Sequence, residues 1–209
     1  MTGHAGIKSF DEPQFNRREI LRYAMCPGCD EPKMLGLMED CIEECRKFAA
    51  FSYRVSYCEL PVIALDEESG DIDLEHIKVR SCDLARNLSG CGRVIVFAAT
   101  IGPGIDRLIK KYSNLDPVKA LFMQAIGAER AETMCNLFCQ TFPEKLRPRF
   151  SPGFGDLTLS IQPEVLRLTN AKKNLAITLD DGFLMSPSKS VTAFAGYVTI
   201  KDRDSLSGA

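Results

Sequence analysis

The chain has 209 residues, of which 45% are hydrophobic and 26% are charged, and its formal net charge is −2. This composition is ordinary for a globular protein, and the length is enough to bury the core of one large domain. The small net charge gives no global field that would attract nucleic acid or an anionic membrane. No apolar run approaches the ~20 residues that span a bilayer, and the N-terminus lacks a secretion signal. We therefore expect a cytoplasmic protein that binds neither nucleic acid nor membrane.

Helix caps and apolar periodicity predict the elements of the first half. A capping box formed by Asn16 and Glu19 begins the first helix, and Ser81 begins another. The continuous apolar run 93–100 is typical of a strand that is buried on both faces. The elements predicted in this half are helices from Asn16 to about Ala24, 32–51 and 81–88, and strands 53–65 and 93–100.

The second half predicts the longest helix and a less regular end. Asp116 followed by Pro117 is a helix start, because proline is favoured at the first helical position. The predicted elements are helices 105–112, 117–140 and 162–169, and strands 174–179 and 191–200. Since strands and helices do not alternate regularly, we expect an α+β fold in which helices flank a mainly antiparallel mixed sheet. We divide the chain into an N-terminal extension (1–15), a single domain (16–200) and a flexible tail (201–209).

A bend rich in proline and glycine lies at Arg149–Asp156, which reads RFSPGFGD. The prolines in and before it restrict the backbone, while Gly153 and Gly155 permit positive φ or the close approach of another molecule. An arginine on such a bend offers a planar fork of donors that matches a carboxylate. We interpret the bend as a ligand-binding loop; the alternative is a surface turn with a solvated arginine.

Glu132 interrupts the apolar stripe of the longest predicted helix. The stripe otherwise consists of small or apolar residues at spacings of three and four, namely Val118, Leu121, Ala125, Ala128, Cys135 and Cys139. An unpaired buried carboxylate is costly, so we expect Glu132 to meet a cation or a ligand hydroxyl or amine. Alternatively, it lies at the edge of the stripe and pairs with Arg130 or another surface base.

The cysteines form no complete metal-site pattern. There are nine, and Cys26 and Cys29 have the CxxC spacing of half a zinc site or of a redox dithiol. The second half of a zinc site is missing, and this pair follows a helix instead of a strand. We expect a turn with two unpaired, reduced thiols and no metal site.

Three segments together carry a resemblance to a known family. They are AIGAERAE at Ala125–Glu132, RFSPGF at Arg149–Phe154, and LDDGFLMSPSKSV at Leu179–Val191. In the same order, they resemble the A-D-R-x-A-E, R-x-x-P-G-Y and L-T-E-S-x-x-M-x-P-x-x-S-V segments of the activation domain of cobalamin-dependent methionine synthase. Between Arg17 and Tyr197 the chain looks more like stand-alone relatives of this domain than like the domain within the full synthase.

The resemblance implies an activation-domain-like fold that binds S-adenosylmethionine. Arg149 would bind the methionine carboxylate, the backbone of Ser151 and Gly153 would line the ligand, and Phe154 would stand beside it. Glu132 would accept a hydrogen bond from the amino group or the ribose. The resemblance implies no acid–base catalytic residue, because the protein would act by orienting the sulfonium methyl group.

The resemblance also implies partners. Cobalamin that has lost an electron would be held by corrinoid-binding modules of a separate methionine synthase or methyltransferase, and a flavodoxin-like protein would donate the electron. Reduction and methylation would then return the cofactor to its active form. The chain would be a component of this methyltransferase activity and not a complete enzyme.

Two departures from the family pattern leave alternatives open. Phe154 replaces the family tyrosine and loses its hydroxyl, and Gly155–Thr158 replace an acidic segment. One alternative is therefore a non-catalytic adaptor that docks on a corrinoid protein without binding the nucleoside. The CxxC spacing separately leaves open a thiol or metal module that uses Cys26 and Cys29.

Overall fold

A computed structural model describes residues 5–198, which form an α+β structure around a four-stranded antiparallel sheet. The strands are β1 (Gly6–Phe10), β2 (Tyr53–Pro61), β3 (Ala64–Leu65), β4 (Asp71–Asp73), β5 (Lys78–Arg80), β6 (Arg93–Thr100), β7 (Thr178–Leu179), β8 (Met185–Ser186) and β9 (Ser190–Gly196). The α-helices are α1 (Arg17–Tyr23), α2 (Pro32–Phe48), α3 (Cys82–Leu88), α4 (Gly104–Ser113), α5 (Pro117–Gln140), α6 (Gln162–Leu168) and α7 (Ala171–Leu175), and a 3₁₀ turn covers Leu159–Ile161.

The main sheet has the strand order β1-β2-β6-β9, with every pair antiparallel. Helices cover both of its faces, which explains the continuous apolar sequence of β6. Ile95 and Phe97 face the larger core with α1, α2, α4 and α5, whereas Val94 and Val96 face a second core with α3 and α6. The expected antiparallel α+β fold is confirmed.

Three of the predicted helix starts agree with the structure because each has a capping side chain. Oδ1 of Asn16 accepts a hydrogen bond from N–H of Glu19 at 3.3 Å, and Oδ1 of Asp116 accepts one from N–H of Lys119 at 3.0 Å. Ser81 caps α3 in the same way. The cap at Asp116 begins α5, which runs for 24 residues beneath the main sheet and carries Glu132.

Several short elements differ from the sequence-based expectations. Residues 6–10, within the predicted extension, form edge strand β1 of the main sheet. The predicted strand 53–65 ends at Pro61, and its last residues join the small sheet β3-β4-β5. The predicted strand 174–179 is wrong at its start, because α7 continues to Leu175 and only two residues form β7. The predicted tail 201–209 lies outside the described residues.

No helix within residues 5–198 is long and apolar enough to cross a membrane.

Candidate functional site

The bend Arg149–Asp156 is held beside β9 by backbone hydrogen bonds. Phe150 and Phe194 exchange N–H···O=C bonds of 2.9 and 2.8 Å, and N–H of Arg147 donates to the carbonyl of Gly196 at 2.8 Å. The residues before the bend therefore lie antiparallel to the outer edge of the sheet. This pairing places the Arg149 side chain next to α5.

The glycines of the bend satisfy different requirements. Gly153 has φ of 91°, and its N–H donates to the carbonyl of Leu157 at 2.7 Å. Gly155 has φ of 52°, and a Cβ atom there would lie 2.2 Å from Oδ2 of Asp83. The bend thus needs glycine for its backbone conformation at both positions and for space at Gly155.

Asp156 fastens the end of the bend to the N-terminus of α3. Its carboxylate accepts hydrogen bonds from the Ser81 hydroxyl, from N–H of Cys82 at 2.7 Å and from N–H of Asp83 at 3.2 Å. The Ser81 bond, followed by the backbone donors, holds the pKa of Asp156 below its usual range although desolvation opposes this. The sequence analysis did not identify this anchor, because it depends on contact between segments more than 70 residues apart.

Arg149 and Glu132 form an ion pair between the bend and α5. Nη2 of Arg149 lies 2.7 Å from Oε2 of Glu132, and Nη1 donates to Oδ1 of Asn136 at 2.7 Å. The Arg149 side chain is 21% exposed and that of Glu132 is 46% exposed. Glu132 therefore meets a cation, but it does so half-exposed at the edge of the stripe, as in the alternative, and its partner is Arg149 and not Arg130.

Arg130 instead forms a fully buried pair with its neighbour Glu129. Two guanidinium nitrogens lie 2.6 Å from the Glu129 carboxylate oxygens, and the remaining donors reach the carbonyls of Pro13 and Gln14 at 2.6 and 2.7 Å. Glu129 also accepts from N–H of Asn16 at 3.2 Å. These contacts attach the segment that precedes α1 to helix α5. The pair therefore has a structural role, which the sequence patterns did not indicate.

A cleft of about 250 Å³ lies between α5, the bend and the start of β9. Among the predicted site residues, Glu132, Ser151 and Phe154 line it. Arg149 and Gly153 do not line it: Arg149 contacts Glu132, and a Cβ atom added to Gly153 would lie 3.2 Å from Cδ2 of Leu159. The other lining residues are Pro152, Gln162, Met185, Ser190, Val191 and Thr192.

Buried polar side chains form the floor of this cleft. Oγ1 of Thr192 donates to Oε1 of Gln162 at 2.7 Å, and the two residues are 2% and 4% exposed. Oγ of Ser190 lies 3.0 Å from Oγ1 of Thr100. Sequence analysis missed these residues; the only signal was the polar positions at 190 and 192 within an otherwise apolar strand. Phe154, which is 68% exposed, adds an apolar surface at the rim.

Lys189 lies immediately beside the cleft and is half-buried. Its carbon chain lies across Gly127 of α5, where an added Cβ atom would meet Cγ and Cε at 3.0 Å. Burial lowers the pKa of the Lys189 ammonium, and the charge of Asp106 partly opposes that shift. Asp106 itself accepts two hydrogen bonds from Ser188, at 2.9 Å from its N–H and 2.5 Å from its hydroxyl. Gly127 thus provides the space in which this lysine packs.

A larger open groove of about 710 Å³ lies on the other side of Arg149. Its walls are the end of α5 and the segment that leads to the bend, residues 142–149. Asn136 and Arg149 line the groove, whereas Glu132 lines the smaller cleft. The Arg149–Glu132 pair therefore stands between the two concave surfaces.

Cys26 and Cys29 form no disulfide, and within residues 5–198 no group of three or more His, Cys, Asp or Glu residues could hold a metal ion. Cys26 and Cys29 lie in the turn between α1 and α2, as expected.

Comparison with known proteins identifies a similar fold. No protein-family model matches the sequence, and no curated protein matches it significantly. One solved structure, described as the MetH reactivation domain bound to AdoHcy, aligns with a TM-score of 0.60 and 16% sequence identity. The alignment covers 94% of this chain and 80% of that one. This chain has the fold of the MetH reactivation domain. At this identity, the comparison establishes the architecture alone, so the ligand of the cleft has to be argued from its residues.

Proposed function

We propose that this chain binds S-adenosylmethionine, or its demethylated form S-adenosylhomocysteine, at the cleft beside Arg149 and Glu132. There it would assist reductive remethylation of cobalamin on a separate corrinoid-dependent methionine synthase or methyltransferase of the cytoplasm. The Arg149–Glu132 pair at the cleft carries the proposal. The fold supports it, because the MetH reactivation domain was solved with AdoHcy bound.

The charges of this pair match those of an amino acid. A ligand carboxylate would replace Glu132 on the guanidinium of Arg149, and the ligand ammonium would take the place of Arg149 on Glu132. Partly exposed ion pairs contribute little stability, so the internal pair is easily exchanged. Two charge-assisted hydrogen bonds then favour the bound ligand. This exchange predicts that recognition needs both the amino and the carboxyl group.

The nucleoside end of the ligand would extend over the rim. The cleft volume of about 250 Å³ is slightly below the ~300 to 1,000 Å³ of typical ligand sites, so part of the ligand would lie outside it. The exposed ring of Phe154 offers an apolar surface there, and Ser151 offers polar groups within the cleft. The loss of the family hydroxyl at Phe154 leaves this aromatic contact intact.

Transfer of a sulfonium methyl group requires alignment and no proton transfer by the protein. Arg149 and Glu132 would fix the amino-acid end, while the bend and β9 exclude water from one side of the ligand. A corrinoid held by a partner protein would supply the metal centre for the methyl group. A flavodoxin-like donor would provide the electron.

Isothermal titration calorimetry with S-adenosylmethionine and S-adenosylhomocysteine tests this proposal. Replacing Arg149 by alanine should weaken binding by ~2 to 4 kcal/mol, because the charge-assisted pair between the ligand carboxylate and the guanidinium is lost. 5′-Methylthioadenosine, which lacks the amino-acid end, should bind the wild-type protein far more weakly than S-adenosylhomocysteine.

The matched control is Arg22→Ala, which removes an arginine from the exposed Arg22–Glu19 pair of α1 and should leave binding unchanged. If neither ligand binds the wild-type protein, or if Arg149→Ala binds as tightly, the ligand assignment is wrong. The adaptor alternative would then be favoured, since Arg149, Glu132 and Asn136 already satisfy one another in the structure.

A further inference from the structure

The turn between α1 and α2 brings two cysteines close together. N–H of Cys29 donates to the carbonyl of Cys26 at 3.2 Å, and Gly28 supports the turn with φ of 72°. A β-turn holds its first and fourth Cα atoms within about 7 Å of each other. Disulfides join cysteines whose Cα atoms are about 4.4 to 6.8 Å apart. The backbone is therefore already arranged for a bond between these two residues.

Access distinguishes this pair from the other cysteines of residues 5–198. Cys26 and Cys29 are half-buried, whereas five cysteines are buried: Cys41, Cys45, Cys58, Cys91 and Cys135. Burial raises the pKa of Cys41 to about 11 and that of Cys135 to about 12, which suppresses the reactive thiolate. The half-buried Cys82 and Cys139 are not joined to another half-buried cysteine by such a turn.

Electrostatic coupling supports the proximity of the two thiols. Burial and, secondly, the charge of Cys29 raise the pKa of Cys26. Both side chains also pack against the larger hydrophobic core. The neighbouring Met25 is 83% exposed, so the turn itself faces solvent and a small reagent can reach it.

We propose that Cys26 and Cys29 form a reversible intramolecular disulfide, which makes this turn a redox modification site. A thiolate of the pair attacks one sulfur of a low-molecular-weight disulfide such as oxidised glutathione and releases one glutathione thiol. The second thiolate then displaces the other glutathione from the mixed disulfide. In total, two protein thiols are oxidised to one disulfide, and one glutathione disulfide is reduced to two thiols.

Thiol counting and intact mass spectrometry after incubation with oxidised glutathione test the inference. In the wild-type protein, the number of thiols that alkylate after unfolding should fall by two from nine, and the mass before alkylation should fall by about 2 Da through loss of two hydrogens. Peptide mapping should find the bond between Cys26 and Cys29, and reduced glutathione in excess should reverse it.

Four variants provide matched controls. Cys26→Ser and Cys29→Ser should each stop at a mixed disulfide with glutathione, because the resolving thiol is missing, and the double variant should lose no thiol. Cys82→Ser, which changes another half-buried cysteine, should oxidise like the wild-type protein. The inference is wrong if the wild-type protein keeps all its thiols or if it retains bound glutathione as the single variants do. It is also wrong if the double variant still loses two thiols. None of these outcomes depends on the ligand proposed for the cleft.

Discussion

The two ion pairs of α5 differ in burial and therefore in whether water or a ligand can replace one of the partners. Arg130 and Glu129 are 0% and 1% exposed. Arg130 also donates to the carbonyls of Pro13 and Gln14, and Glu129 accepts from N–H of Asn16 and from the Thr133 hydroxyl. Arg149 and Glu132 remain partly open to solvent, so water or a ligand can replace either partner. The buried pair holds the helix and the N-terminal segment together, while the open pair is available for binding.

Removing one partner of the buried pair should strongly destabilise the fold. Arg130→Met leaves the Glu129 charge buried without a cation, which should cost about 3 to 5 kcal/mol in the free energy of unfolding measured by urea denaturation. Adding Glu129→Gln should restore part of that loss, because the unpaired charge is then gone. Lys47→Met, from the exposed Lys47–Glu43 pair, should change stability by less than about 0.5 kcal/mol. Equal losses for the two single variants would contradict the role assigned to Arg130.

At the level of elements, the bend depends on α3 for its position. The hydrogen bonds that Asp156 accepts at the start of α3 lower the pKa of its carboxyl group. The ionised carboxylate therefore stabilises the fold at pH values above the unfolded-state pKa of about 3.9. That contribution should disappear as the pH falls through the lower folded-state value. The difference in urea midpoint between the wild-type protein and Asp156→Asn should therefore be largest near neutral pH and shrink below about pH 4.

Asp11→Asn, which changes an exposed aspartate between β1 and α1, is the control for this measurement. A difference between wild type and Asp156→Asn that stays constant from pH 7 to pH 2.5 would show that the Asp156 charge does not hold the bend. Binding calorimetry on the same variant would show whether loosening the bend also weakens the ligand.

Sequence patterns predicted the long elements and named two residues, Arg149 and Glu132, that the structure pairs, but they did not predict the short elements. Caps at Asn16, Ser81 and Asp116 are local, so the helices they begin could be located from neighbouring residues. Strands of two or three residues are too short to show a periodicity. Helix α7 begins and ends at residues with left-handed backbone, Asn170 and Ala176, and because neither is a glycine the sequence does not mark these boundaries.

The candidate site shows the same division between local and distant information. Glu132 could be identified because it interrupts an apolar stripe, and Arg149 because it stands on a restricted bend. The Gln162–Thr192 contact and the Ser81–Asp156 anchor join residues that are 30 and 75 positions apart, so no local pattern indicates them. The same holds for Lys189, whose packing depends on Gly127.

At the level of the whole molecule, the main sheet joins the two ends of the described chain. β1 begins at Gly6 and β9 ends at Gly196, and both belong to the same sheet. The cleft uses β9, α5 and α6, so binding should stabilise the whole structure instead of a separate part. This arrangement favours one cooperative unfolding transition.

Differential scanning calorimetry should therefore show a single transition with equal calorimetric and van't Hoff enthalpies. At ~0.7 kcal/mol per residue near 60 °C, the enthalpy for 209 residues should be on the order of 150 kcal/mol. S-adenosylhomocysteine at a hundredfold excess over its Kd should add ~2.7 kcal/mol and raise the entire transition by roughly 5 to 10 °C. Arg149→Ala at the same ligand concentration should show a much smaller shift. Two resolved transitions, of which only one responds to the ligand, would contradict both the single domain and the coupling of the cleft to the sheet.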